Sequence, residues 1–180
     1  ADERGTDCGG ACVRVCSFDI KEPQILWAES FKIVDGQYNV VAYIENRNER
    51  VGTTELAYVV RLYDADGLII ERRGDTVLPP DGSYPIFEGR LLTGARVPSK
   101  ATVEFEGDTF WRPAEMGGDQ FSLEKRELED VGSKPRLSAQ LRNTALEEAS
   151  DVEIIATVFD GKGKPLTASR TVVDRFKGRA

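Results

Sequence analysis

Histidine is absent from this chain of 180 residues. That absence removes the commonest general base, the usual pH switch and the commonest metal ligand together. No apolar run approaches the ~20 residues of a membrane-spanning helix. There is no G-x-S-x-G nucleophile elbow, no phosphate loop and no two-glycine dinucleotide fingerprint. Carboxylates are plentiful, but Glu104 and Glu106 sit at period two on one face of a strand, which is the pattern of a solvated face. The expectation is a chain that is not an enzyme and needs no cofactor.

What is present has the composition of a folded chain: 40% hydrophobic and 31% charged. The net charge of −7 is uneven. Residues 1–115 carry 20 acidic and 13 basic side chains, whereas residues 116–180 carry 11 of each. An acidic first half argues against a nucleic-acid partner, whose phosphates need a basic stripe. The chain starts at Ala1 without an initiator methionine, so any membrane attachment is expected from a segment upstream of Ala1.

A repeat organises the rest. Val60-Arg61-Leu62-Tyr63-Asp64-Ala65-Asp66-Gly67 recurs in degenerate form as Ala156-Thr157-Val158-Phe159-Asp160-Gly161-Lys162-Gly163. Each copy follows an alternating strand that ends in asparagine, Val40 to Asn46 and Leu137 to Asn143. Two copies of one β-unit govern the fold reading. Short alternating strands with Gly, Pro and Asp turns predict antiparallel β-sandwiches. The expected division is a cysteine-bearing leader or linker over 1–23, a first sandwich over 24–112, a linker over 113–119 and a second sandwich over 120–180.

In the second copy Leu137, Ala139 and Leu141 alternate with polar neighbours, giving one dry face and one wet face. Aligned on the asparagines, Val40, Ala42 and Ile44 point inward. Val41 and Tyr43 then form an apolar patch on the outer face. That patch is a candidate contact for a neighbouring loop, the other unit or a protein partner. Trp27 and Trp111, which flank the first unit, are expected to pack in the core or at an edge.

The Asp64–Gly67 turn invites comparison with a calcium loop, which needs oxygen ligands at alternate positions. Leu68 occupies the next alternate position, and Lys162 replaces the second acid in the other copy. A hairpin turn, with aspartate bonding the backbone and glycine left-handed, fits both copies. Cys8, Cys12 and Cys16 lie at a C-x3-C-x3-C spacing. Three readings stay open for them: a disulfide or intermolecular bridge, a metal site completed by a fourth ligand, or free thiols.

At Leu62-Tyr63-Asp64 with Gly67 and Asn46, the sequence resembles the FxLYD family of small immunoglobulin-like β-sandwich domains. Val60 stands where that family has phenylalanine. The second copy, Val158-Phe159-Asp160 with Gly163 and Asn143, matches more loosely, and Ala156 replaces the phenylalanine. The resemblance covers roughly 24–110 and 120–180. It implies two tandem Ig-like sandwiches in an all-β chain, as in membrane-anchored envelope proteins of bacteria. It further implies an extracytoplasmic, structural or adhesive role through a protein partner or self-association, with no catalytic residues to carry over. A redox or metal-binding protein working through the three cysteines is the rival. The second copy stops short of two closing strands that follow Gly82 in the first. Either a longer chain or a strand donated by another chain would complete it.

Overall fold

The structure, a computed structural model, describes residues 8, 10, 13–114, 120–130 and 135–179. The chain is all-β and its strands pair antiparallel. Among the described residues the regular elements are a single 3-10 turn, Ser17–Asp19, and eleven strands. The first seven are β1 (Gln24–Val34), β2 (Gln37–Asn46), β3 (Val51–Asp64), β4 (Gly67–Leu78), β5 (Gly82–Leu92), β6 (Lys100–Phe105) and β7 (Arg112–Pro113). Then come β8 (Phe121–Glu129), β9 (Arg136–Asn143), β10 (Ala149–Phe159) and β11 (Pro165–Phe176). Among the described residues no helix is long and apolar enough to cross a membrane.

The chain divides into two compact units. The first holds Ala1–Met116 together with Ile155–Ser169, the outer part of the β10–β11 hairpin. The second holds Gly117–Ile154 and Arg170–Ala180. This division differs from the boundaries that the repeat alone predicts, because the tip of the second copy's hairpin clusters with the first unit.

In the first unit one sheet has the order β1-β2-β5, and the other has β4-β3-β6 with β7 added beside β3. Strict alternation explains how the sheets close on each other. Val40, Ala42 and Ile44 of β2 point to the same core as Leu56, Tyr58, Val60 and Leu62 of β3, all buried. Ile86 of β5, Val103 of β6 and Trp111 complete this core. Val59, on the opposite face of β3, is also fully buried. It lies in register between Arg73 and Glu104, whose long side chains shield it.

Two turns depend on glycine. Gly36 takes φ +73° between β1 and β2, and a Cβ there would sit 2.6 Å from the Gly94 carbonyl oxygen. Gly67 takes φ +105° where β3 turns into β4.

The segment before β1 differs from the leader expected of its composition. Val15 donates its N–H to the Trp111 carbonyl at 2.8 Å, and Cys16 is buried. Val15 and Ile20 pack on the main core. The expected linker also begins later than its Arg-Pro sequence implies. Arg112 and Pro113 pair with Gly52 and Val51, and the Ala114 N–H reaches the Arg50 carbonyl at 3.0 Å.

The second unit has a β8–β9 ladder and the paired inner ends of β10 and β11. Counterparts of β5 and β6 are not found among its described residues. Asn143 is the one buried residue among them. Leu123, Leu128 and Leu137 remain 53%, 39% and 42% exposed, so this unit gains little from apolar burial. Phe121 and Phe176 stack at 5.5 Å between ring centroids.

Candidate functional site

Val41 and Tyr43 lie on the outer face of β2, as the alternation requires. Val41 is fully buried in a second cluster with Phe31, Phe87 and Ala168, and Trp27, Tyr43 and Ile155 pack around it. Trp27 stacks on Tyr43 at 4.9 Å, and Phe159 meets Trp27 edge-on at 6.0 Å. The outer face therefore already has an occupant within the first unit, the hairpin segment Ile155–Ser169.

Of the three cysteines, Cys8 and Cys16 form a disulfide with a Cα separation of 5.0 Å. Cys12 lies outside the described residues. A disulfide sulfur carries no thiolate charge, so this state does not assemble the metal set Cys8, Cys12 and Cys16. Among the described residues no group of three or more Cys, Asp or Glu side chains is placed to hold a metal ion.

The repeated aspartate turn is locked by hydrogen bonds. Asp64 accepts the Asp66 N–H at 2.9 Å. Arg96, from the segment between β5 and β6, grips both Asp64 oxygens, one at 2.7 Å, and donates to the Leu68 and Gly67 carbonyls at 2.9 and 3.1 Å. In the second copy Asp160 accepts the N–H groups of Lys162 and Lys164, both at 2.8 Å. Arg96 holds the Asp64 carboxyl below the usual carboxylate range. Backbone N–H donation from Lys164 and Lys162 does the same for Asp160. With its lone pairs engaged in this way, Asp64 is a turn lock rather than a cation ligand.

Glu104 and Glu106 join a charged ladder across three strands. Arg61 of β3 bonds Glu71 of β4 at 2.5 Å and Glu104 of β6 at 2.7 Å. Arg73 of β4 contacts Glu71 and reaches Glu106 at 2.9 Å. The Arg61 hydrogen bond lowers the Glu71 carboxyl and, with Glu104, raises Arg61 in turn. Glu71 is held ionised, the opposite of a carboxyl poised to donate a proton.

The lowered carboxyls fix a pH dependence. Groups with a depressed folded pKa stabilise the fold above their unfolded values of about 4, and that stability is lost as pH falls through the folded values. The urea midpoint of the chain should therefore drop as pH is lowered from about 5 toward 2. Arg96→Gln should lower the midpoint at pH 7, and its deficit should shrink as pH falls and the Asp64 carboxyl takes up its proton. An Arg96→Gln deficit of constant size across this range would remove Asp64 from the account.

No family model, curated protein or solved structure matches the chain.

The two asparagines that end the repeated strands make the same hydrogen bonds. Asn46 Nδ2 donates to the Val51 and Pro79 carbonyls at 2.9 and 2.8 Å, and its Oδ1 accepts the Asn48 N–H at 3.0 Å. Asn143 Nδ2 donates to the Glu147 and Phe176 carbonyls, both at 3.1 Å, and its Oδ1 accepts the Ala145 N–H at 3.1 Å. Each amide ties the end of one strand to the end of a strand 33 residues later. In the first unit the tie extends further: Asn48 bonds the Lys21 backbone at 2.8 and 2.9 Å, fastening the segment before β1. The sequence marks these asparagines as repeat signposts, but only the structure gives them this role.

A groove of about 820 Å³ opens between β1 and β6, floored by Leu56, Val103 and Trp111 and edged by Arg14, Glu22 and Asp108. Its lining mixes acids, one arginine and apolar floor residues without converging polar groups. Nothing in that arrangement selects a small ligand.

Proposed function

We propose that this chain is a non-enzymatic, extracytoplasmic module of a bacterial cell envelope, structural or adhesive in role. On this reading its units are FxLYD-type immunoglobulin-like sandwiches that bind protein partners through sheet edges. The single observation that carries the proposal is the Cys8–Cys16 disulfide, whose second sulfur belongs to a buried residue. Such bonds persist in oxidising compartments and are rare in the reducing cytosol. The charged clusters support the same reading, because Arg96–Asp64 fastens the turn between β3 and β4 and the Arg61–Glu71–Glu104 ladder binds strand to strand. The Val41 and Tyr43 face is occupied by Ile155 and Ala168, which leaves the edges as the contact surfaces.

The test is a thiol count on protein isolated from its native host, denatured without reductant, beside cell fractionation. The expected result is at most one reactive thiol per chain, Cys12, rising to three after reduction, with the protein in the envelope fraction. Three reactive thiols before reduction, together with stoichiometric metal, would replace this proposal with the redox or metal-binding one.

A further inference from the structure

The β4-β3-β6 sheet of the first unit ends at β6, and no described strand pairs with the outer edge of β6. The chain's own continuation does not close that edge. Past Phe105 the Glu106 N–H stays on the Ala57 carbonyl, and the chain then returns to β3 as β7, Arg112 with Gly52 and Pro113 with Val51. The other three edges of this unit carry features that discourage pairing. Pro85 lies in β5, β1 has two register shifts, and Arg72 of β4 pairs with Val60 on the side that faces the core. Along β6 the register with β3 runs unbroken from Tyr58–Phe105 to Tyr63–Lys100, without a proline.

The direction of the backbone groups follows from that register. Because Glu106 bonds Ala57, the alternate residues Thr102 and Glu104 turn their backbone groups toward β3. Ala101 and Val103 therefore present N–H and C=O to the open side. Side chains sort in the same way. Ala101 and Val103 oppose Leu62 and Val60 of the core, whereas Lys100, Thr102 and Glu104 lie on the outer face. Glu104 gives Oε2 to Arg61 at 2.7 Å, and Lys100 has no ion pair among the described residues. The Thr102 hydroxyl is buried and has no hydrogen-bond partner among them. A strand of this sequence is complementary to itself. Set antiparallel about Thr102, two copies bring Lys100 of each opposite Glu104 of the other, Ala101 opposite Val103, and Thr102 opposite Thr102. Opposite charges, apolar pairs and Thr–Thr hydrogen bonds each stabilise neighbouring strands.

We propose that the open edge of β6 pairs with β6 of a second copy of this chain, antiparallel and twofold about Thr102. The two β4-β3-β6 sheets then become one. Ala101 and Val103 exchange the free backbone bonds, and Thr102 falls in a non-hydrogen-bonded pair, where facing side chains stand closest. This names the partner for one edge and rests on the reading of the chain as an edge-binding module. A six-residue strand buries little area, so the dimer should be weak and dependent on concentration.

The experiment uses the full 180-residue chain. Its mass is read by sedimentation equilibrium from about 1 to 500 μM, the range of a small interface, with hydrogen exchange measured at both ends. The mass should move from monomer toward dimer, and exchange at the Ala101 and Val103 amides should slow. Lys100→Glu should weaken association about tenfold, because two attractive pairs become repulsive at an exposed edge. Adding Glu104→Lys should restore most of it, since each pair is then reversed. Thr102→Cys, in a chain with Cys12→Ser, should give a disulfide-linked dimer on mild oxidation. A non-hydrogen-bonded antiparallel pair holds its Cα atoms about 4.5 Å apart, within disulfide range. Lys100→Cys in the same background should not link, because its twin would lie about 13 Å away along the strand.

A monomer throughout that range, or a dimer indifferent to Lys100→Glu, would overturn the proposal. So would failure of the double variant to recover, or Lys100→Cys linking as readily as Thr102→Cys. Ala101 and Val103 amides already protected in the monomer would overturn it as well, because the chain would then cover this edge itself. The thiol count and fractionation do not sense β6, so failure here and failure of the envelope reading are separable.

Discussion

Replacing Asn46 with alanine should cost the first unit about 3 kcal/mol, read as a fall in urea midpoint with the fluorescence of Trp27 and Trp111 as probes. Asn46 is 1% exposed, and its amide serves the Val51 and Pro79 carbonyls and the Asn48 N–H at once. Alanine leaves all of these without that partner at a buried corner, and an unmade buried hydrogen bond costs more than a made one contributes. The Asn48 side chain also loses its 2.7 Å bond to Asn46 Oδ1, so the tie to Lys21 should loosen. Asn46→Asp sharpens the test because it keeps shape and acceptor but removes the two N–H donors. If hydrogen bonding is the cause, aspartate should be at least as damaging as alanine, since its oxygen would face two carbonyls. An Asn46→Asp chain within 1 kcal/mol of the unmodified one would show that volume, not donation, matters there.

Leu62→Ala should be of similar or larger effect, about 2–5 kcal/mol. Leu62 is fully buried and sits in the core shared by β2, β3, β5 and β6. Its removal loses transfer free energy and leaves a cavity that two hydrogen-bonded sheets cannot easily collapse around. Leu62→Met, which nearly conserves volume, should cost below about 1.5 kcal/mol. Tyr63→Ser, one residue on, should cost less than Leu62→Ala, because Tyr63 faces away from that core and is partly exposed. A Leu62→Ala midpoint close to the unmodified value would mean that the sheets do not pack through this motif. The Leu-Tyr-Asp motif thus divides by role into a core side chain, an outer-face side chain and a turn lock gripped by Arg96.

Alternation along Val40–Ile44 was enough to specify that strand and its inward face, because side-chain direction in a strand has a period of two and needs no partner to define it. The glycine turns were legible for a similar reason. Left-handed φ at Gly67 and Gly163 is a local requirement, and Asp64 and Asp160 bond backbone only two residues ahead. The repeat itself marked Asn46 and Asn143, since two copies of one corner must keep the same anchor.

The tertiary structure decided everything that depends on chain segments far apart in sequence. Arg96 reaches Asp64 across 32 residues, and nothing in the spacing of either announces it. Asn46 finds Pro79 and Asn143 finds Phe176 only after the strands between them have turned back. The covering of Val41 by Ile155 and Ala168 is of the same kind, as is the docking of Val15 against Trp111. Composition read the segment around Cys8 and Cys16 as a linker, because a short polar stretch without periodicity has no local signal for packing. Its order comes from a disulfide and from Asn48, both supplied by partners at a distance. The sequence by itself thus determined strands, faces, turns and the repeat, all local consequences of backbone geometry and side-chain period. Folding determined which edges are closed and which acids are ion-paired. Those depend on where loop closure brings two remote segments together.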